Sequence, residues 1–223
     1  MSDTSRVLFP VDAATAVASL YSVYASRGVI AAVVAPKQEM PQIFDEAQAS
    51  RAVQQGFVAL NPLETDTCIQ LVAVGAYQLQ EARRAAAVLQ DNGCVVQTIA
   101  VLEPGRLRQP RDKVEADFVQ SQDELALGFP PGMPRVIVSH SRPEPMLGAL
   151  RRLDGGPGNT TALGYINRGG TFDVEGMLFA NHCSWAHIVA VSARLLERDP
   201  ADFLSNAIRA ALEGRGNPLD IYA

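Results

Sequence analysis

Disulfide and metal chemistry have little to work with in this sequence. It holds three cysteines and three histidines among 223 residues, and no CxxC pair. Cys68 and Cys94 fall in apolar runs and Cys183 in a loop-like segment, a use of cysteine that fits a reducing compartment better than a disulfide framework. His182 and His187 are five apart around Trp185, without the helical spacing or further ligands of a metal site, so both read as packed histidines. No apolar run approaches a membrane-spanning length, and the first residues are polar with no apolar core behind them, which predicts a cytoplasmic protein. A basic patch is missing as well: the formal net charge of −5 argues against a nucleic-acid binder. Phosphate-loop signatures are absent. Gly155-Gly156-Pro157-Gly158 and Gly169-Gly170 match neither GxxxxGK[ST] nor a helix-opening GxGxxG, and read as turns.

What is present is an alternation of strands and helices. Hydrophobic residues make up 48% of the chain. Val7 to Phe9 reads as a strand, Asp12 as an N-cap, Ala13 to Ser26 as a helix with Gly28 behind it, and Val29 to Ala35 as the next strand. Asp45 to Gln55 reads as a helix and Phe57 to Leu60 as a short strand, after which Asn61-Pro62 breaks the pattern. A second series follows: strands at Cys68 to Val74, Cys94 to Val101, Arg135 to Ser139 and Ala162 to Tyr165. Helices are predicted at Tyr77 to Gln90, Lys113 to Gln120, Asp123 to Leu127, Glu144 to Arg151, Trp185 to Glu197 and Ala201 to Leu212. The pattern predicts an α/β fold, a mostly parallel sheet with helices on both faces, preceded by a partial α/β unit. The expected division is 1–61 and 68–223.

The first unit is physically incomplete. Two or three strands in about 60 residues cannot cover both faces of a parallel sheet and protect its edge. Met1 stands only a few residues before the first strand. Either the unit packs as a small appendix onto the second, or another polypeptide completes its sheet; the second reading is favoured.

Candidate functional residues gather at strand ends, where open α/β sheets bind ligands. Lys37 and Gln38 follow the run Ala31-Ala32-Val33-Val34-Ala35-Pro36. An ammonium there suits a phosphate, although a solvated surface lysine is the plain alternative. His140 follows the apolar strand Val136 to Val138, consistent with a substrate or interface role. Equally, its loop could cap a helix, with Ser141 as the cap and Glu144 completing a capping box. Arg106, Arg108 and Arg111 share one Pro-rich loop and read as solvated charge, or less readily as a site for an acidic surface or a phosphate.

Taken in order, Val7-Leu8-Phe9-Pro10-Val11-Asp12, Pro36-Lys37-Gln38 and Gln70-Leu71-Val72-Ala73-Val74-Gly75 resemble segments of phosphoketolases and transketolases. So does Gly164-Tyr165-Ile166-Asn167-Arg168-Gly169-Gly170-Thr171. They match the end of the pyrimidine-binding domain and the C-terminal domain of these thiamine diphosphate enzymes, and Asn181 and His187 fall where phosphoketolases carry an Asn and a His. The resemblance implies that Lys37 binds a sugar phosphate, with Gln38 beside it on the phosphate or a hydroxyl. It also implies thiamine diphosphate and Mg²⁺, yet the Gly-Asp-Gly…Asn segment that holds them is not in this sequence. The expectation is therefore a subunit of a split enzyme. A partner subunit would carry the diphosphate-binding domain, and the assembly would act on ketoses by ketol transfer, as a transferase or a phosphoketolase-like lyase; a homo-oligomer is a further expectation. A sugar-phosphate epimerase on the same frame, or a non-catalytic stabilising or regulatory subunit, is the alternative.

Overall fold

The computed structural model of the chain describes residues 4–166 and 169–222; Asn167 and Arg168 of the Gly-Tyr loop lie outside the described residues. The chain begins with β1 (Ser5–Leu8), α1 (Ala13–Tyr24), β2 (Ile30–Val33), α2 (Glu46–Gln55) and β3 (Phe57–Ala59). It continues through β4 (Ile69–Val74), α3 (Ala76–Asp91), β5 (Val96–Val101), α4 (Lys113–Phe118), α5 (Gln122–Gly128), β6 (Arg135–Ser139), α6 (Pro143–Ala149) and β7 (Thr160–Leu163). It closes with α7 (Val174–Ala180), α8 (Trp185–Leu195) and α9 (Asn206–Leu212).

Two sheets form. β1 and β2 pair in parallel, and the second sheet has the order β3-β5-β4-β6-β7. Within it β5, β4, β6 and β7 are parallel, while β3 runs antiparallel to β5. The fold is thus α/β with a mostly parallel central sheet flanked by helices, as the alternating pattern predicts. Phe57 to Leu60, grouped by sequence with the first 61 residues, is hydrogen-bonded into the larger sheet. Asn61 fastens it there, donating to Val96 O at 2.8 Å and accepting from Thr98 N at 3.0 Å.

All six residues of β4 and of β5 are buried, as in strands covered on both faces. The pleat divides β4 between two cores. Ile69, Leu71 and Ala73 face the α3 and α8 side with Leu79, Ala82 and Ile188. Val72 and Val74 face the other side with Leu125, Phe129, Met146 and Leu150. The first unit is sewn into both cores: Phe9 enters the second, and Val11, Phe44 and Val53 the first. Its packing onto the larger unit is therefore extensive.

Asp12 explains how. It caps α1 through Thr15 N (2.8 Å), and its other oxygen accepts from Ile43 N (2.9 Å) and Phe44 N (2.8 Å). One carboxylate thus starts a helix and anchors the segment that delivers Phe44 to the core.

Three local expectations differ from the structure. Residues 201–212 are not one helix: a 3₁₀ turn at Pro200–Asp202 ends before Ser205, which caps α9 by accepting from Ile208 N. Helix α7 was not expected, although Val174, Met177 and Leu178 have helical spacing behind the Asp173 cap. The capping box at Ser141 and Glu144 does not form. Pro143 occupies the first helical position, so Arg142 is the N-cap, and Ser139 Oγ lies within hydrogen-bonding distance of Ser141 Oγ at 3.1 Å.

Candidate functional site

The strand order reverses at β4. The chain leaves it for β5 on one side and later returns to β6 on the other, which is the switch point where open α/β sheets open a crevice at their carboxyl ends. A cavity of about 410 Å³ occupies this place. Tyr77 and Gln78 reach it from the start of α3, His140 from the end of β6, Tyr165 from beyond β7, and Met177 and Asn181 from α7.

Two glycines make the crevice possible. Gly75 has a φ of +117°, and a Cβ there would stand 2.3 Å from Gln78 Oε1 and 3.2 Å from the His140 Cβ. A Cβ at Gly164 would stand 2.3 Å from the carbonyl oxygen of Ser141. Both strand ends therefore approach their neighbours more closely than any side chain permits.

The polar groups of the crevice are mostly committed to structure. Ser139 Oγ donates to Ser141 O (2.9 Å), Asp173 caps α7 through Gly176 N (2.8 Å), and Asn181 Oδ1 accepts from Ile166 N (2.7 Å). Cys183 is buried, which pushes its thiol up to about 12, with the nearby Glu81 charge adding to the rise. The buried amide oxygen of Gln78 has no hydrogen-bond partner among the described residues, and His140 also lines the crevice. The His140 residue is exposed as a whole, yet its ring is crowded enough that burial lowers its pKa, so it is neutral at pH 7. An apolar hollow with a neutral imidazole and a free amide oxygen suits ligand recognition. The carboxylate that lines the crevice with His140, Asp173, is held by the α7 cap.

Lys37 and Gln38 lie elsewhere, in the bend after β2, and both are exposed. Gln38 lines a hollow of about 600 Å³ with Pro10, Asp12, Glu39 and Met40, whereas Lys37 is not part of its wall. The structure does not bring His140 into this hollow; the two cavities share no lining residue.

His182 and His187 stack at 4.9 Å, and His187 Nδ1 meets Ser184 Oγ at 2.7 Å. His187 is half-buried and packed, whereas His182, expected to be packed as well, is exposed. Burial and the neighbouring His182 lower His187 to about 3. The loop arginines are all ion-paired, with Arg106 and Arg108 largely buried and Arg111 exposed. Arg106 pairs with Glu103 at 3.1 Å, and Arg108 and Arg111 converge on the buried Glu115, whose carboxyl they hold far below the usual range. The Arg111 and Glu115 spacing of four was the readable signal.

No family model and no curated protein matches the sequence. Solved structures do. A transketolase from Leishmania mexicana superposes with a TM-score of 0.65 at 16% identity, over 91% of this chain and 27% of that one. A Pichia stipitis transketolase in complex with sedoheptulose 7-phosphate gives 0.63 at 17% identity, again over 91% and 27%. A split-gene transketolase described as an inactive beta4 tetramer gives 0.60 at 16% identity, over 87% of this chain and 58% of that one. The chain spans about a quarter of the length of the full transketolases and little more than half of the split-gene chain. Its fold is that of the C-terminal part of a transketolase.

Proposed function

We propose that this chain is one component of a split transketolase-like enzyme, acting on ketoses or their phosphates by ketol transfer. Residues 1–61 are read as the end of a pyrimidine-binding domain and residues 68–223 as the C-terminal domain. A partner subunit contributes the diphosphate-binding domain and the rest of the first sheet.

The observation that carries the reading is the open face of the first unit. β1 and β2 form a two-stranded parallel sheet, and Ile30 on β2 is 78% exposed. On the adjoining α1, Val17, Tyr21 and Tyr24 are 68%, 77% and 85% exposed. Parallel sheets in water are covered on both faces, and an apolar patch of this kind marks a contact surface. The likeness to a split-gene transketolase supports a separate chain as its cover.

The chain's own residues do not fit thiamine diphosphate and Mg²⁺. The sequence has no Gly-Asp-Gly…Asn segment, and no group of three His, Cys, Asp or Glu is placed to hold a metal among the described residues. The cofactor is therefore assigned to the partner subunit, and no chemical step is assigned to this chain. Its part is recognition: Lys37 offers an exposed ammonium to a sugar phosphate, Gln38 a hydrogen bond beside it, and His140 a neutral imidazole in the separate crevice, for a substrate or an interface.

The test is co-expression with an adjacent reading frame that carries a Gly-Asp-Gly…Asn segment, followed by size-exclusion chromatography, cofactor analysis and a ketol-transfer assay. A stoichiometric complex that retains thiamine diphosphate and transfers ketol units is the expected result. A complex without any turnover would make the chain a stabilising subunit, and micromolar, Mg²⁺-dependent cofactor binding by the lone chain would overturn the split reading.

A further inference from the structure

Cys68 and Cys94 stand side by side where two neighbouring strands begin. Cys68 immediately precedes β4, and Cys94 lies two residues before β5. The Cys68 N–H donates to Val95 O at 2.9 Å, which fixes the two strand entries against each other. The Cys68 thiol donates to the same carbonyl at 3.3 Å, turning it toward the 94–95 peptide, and both cysteines pack against the same core. The register sets Ile69 opposite Val96, so Cys94 is the diagonal neighbour of Cys68; an interstrand spacing of about 4.8 Å and a rise of about 3.3 Å put their Cα atoms about 6 Å apart, inside the separation that a disulfide spans. A third group completes the arrangement. Arg198 reaches across from the end of α8, its Nη1 3.6 Å from Cys94 Sγ and 3.3 Å from Asn92 O.

We propose that Cys68 and Cys94 are a redox-active pair that closes to an intrachain disulfide when the protein meets a peroxide. The Arg198 guanidinium is placed to stabilise negative charge developing on Cys94 Sγ, so this sulfur attacks the peroxide. An S–O bond forms, the O–O bond breaks, and hydroxide leaves as water after taking a proton. Cys68 then attacks the sulfenic sulfur, the S–S bond forms and a second water leaves. Two thiols are oxidised by two electrons, and one peroxide is reduced to two waters. Burial and the facing Cys94 raise the Cys68 thiol, which keeps its proton at neutral pH and acts second. Cys94 is 7% exposed and its neighbour Cys68 is half-buried, so the pair lies nearer the surface than Cys183, which is 2% exposed and serves as an internal control.

The experiment treats the full chain with hydrogen peroxide, then counts free thiols after unfolding, weighs the intact protein and maps the peptides. The expected result is loss of two thiols of three, a mass lower by two hydrogens, a Cys68–Cys94 cross-linked peptide, and full reversal by dithiothreitol. Cys68→Ser and Cys94→Ser should each abolish the cross-link. Arg198→Gln should slow its formation about 3- to 10-fold and Arg198→Lys should restore most of the rate, since the cation acts on the attacking sulfur. Added oxygen without a cross-link, a bridge involving Cys183, or no thiol loss where free cysteine is oxidised would each overturn the proposal.

Discussion

Arg6 and Glu103 meet as two planar groups: Nε and Nη2 of the guanidinium each donate at 2.8 Å, one to each carboxylate oxygen. The side chains are 5% and 0% exposed, and 97 residues separate them in the chain. Arg6 lies on β1 and Glu103 just past β5, so the pair joins the small sheet to the large one. Arg106 Nε makes a further hydrogen bond to Glu103 Oε2, and Arg6 Nη1 donates to Ser22 Oγ.

Arg6→Met should therefore leave a buried, partly compensated carboxylate and cost about 3–5 kcal/mol in urea unfolding. The double variant Arg6→Met with Glu103→Met should recover much of that loss, since it leaves neither charge exposed to an apolar setting. Equal losses in single and double variants would show that packing, and not charge, holds the junction.

Lys37→Ala in the assembled enzyme should lower kcat/KM for phosphorylated sugars by roughly 10- to 100-fold, the worth of a charge-assisted contact of about 1.5–3 kcal/mol. An unphosphorylated analogue should lose much less, and the melting temperature should hardly move, because the side chain is exposed. Equal losses on both substrates would make Lys37 structural.

Ile30→Lys combined with Tyr21→Lys should abolish complex formation and reduce self-association of the lone chain. Folding stability should change by less than about 0.5 kcal/mol per site, as is usual for exposed positions. Light scattering and urea titration together decide this: unchanged association would mean that the open face of α1 and β2 is not the contact surface.

Acid should unfold the chain through Asp12. Burial alone would raise this carboxyl, but the hydrogen bonds from Thr15, Phe44 and Ile43 outweigh it and lower the folded pKa below 3.8. The contribution is thus complete at neutral pH and is lost as pH falls below that value. Asp12→Ala should cost about 2–4 kcal/mol at pH 7, because a helix cap and two further hydrogen bonds go together, and should flatten the acid limb of the stability curve.

His187 works in a higher window. Its folded pKa of about 3 lies below the ordinary 6.5, so the unfolded chain binds the proton first. Stability should fall with pH from about 6.5 downward, by up to about 1.4 kcal/mol per unit. His187→Phe should remove that slope, while costing about 1 kcal/mol at pH 7 as the buried Ser184 hydroxyl loses its partner. A slope unchanged in the variant would locate the titration elsewhere.

Much of the fold was legible because its signals are local. Asp12 caps its helix as read, with the reciprocal bond from the third residue, and the four parallel strands of the large sheet were readable as apolar runs; Asp45, read as the first helical residue, is a cap of the same kind. The losses have physical reasons. β3 looked like a continuation of the first unit, since nothing in three residues encodes which distant strand they will pair with. Ser141 and Glu144 had the spacing of a cap, but a proline at position 143 sets the helix start one residue later. Glu103 and Glu115 carried no sequence mark of burial, yet they fix the arginines that looked free. Of the candidate site, the loop position of Lys37 and Gln38 and the strand-end position of His140 were readable. The crevice around His140 was not, because α7 supplies one wall and Gly75 and Gly164 shape the rest through tertiary approach.

The antiparallel placement of β3 bears on where this chain can be divided. Three residues that precede the second series of strands supply the outer neighbour of β5, and Asn61 locks them in place. A fragment starting at residue 68 would leave the main-chain donors and acceptors along that flank of β5 open to any extended peptide, another fragment included. A recombinant C-terminal piece should keep the segment from Phe57 onward, and a protease that nicks between residues 61 and 68 should release no soluble half: the two pieces should migrate together until denaturant separates them.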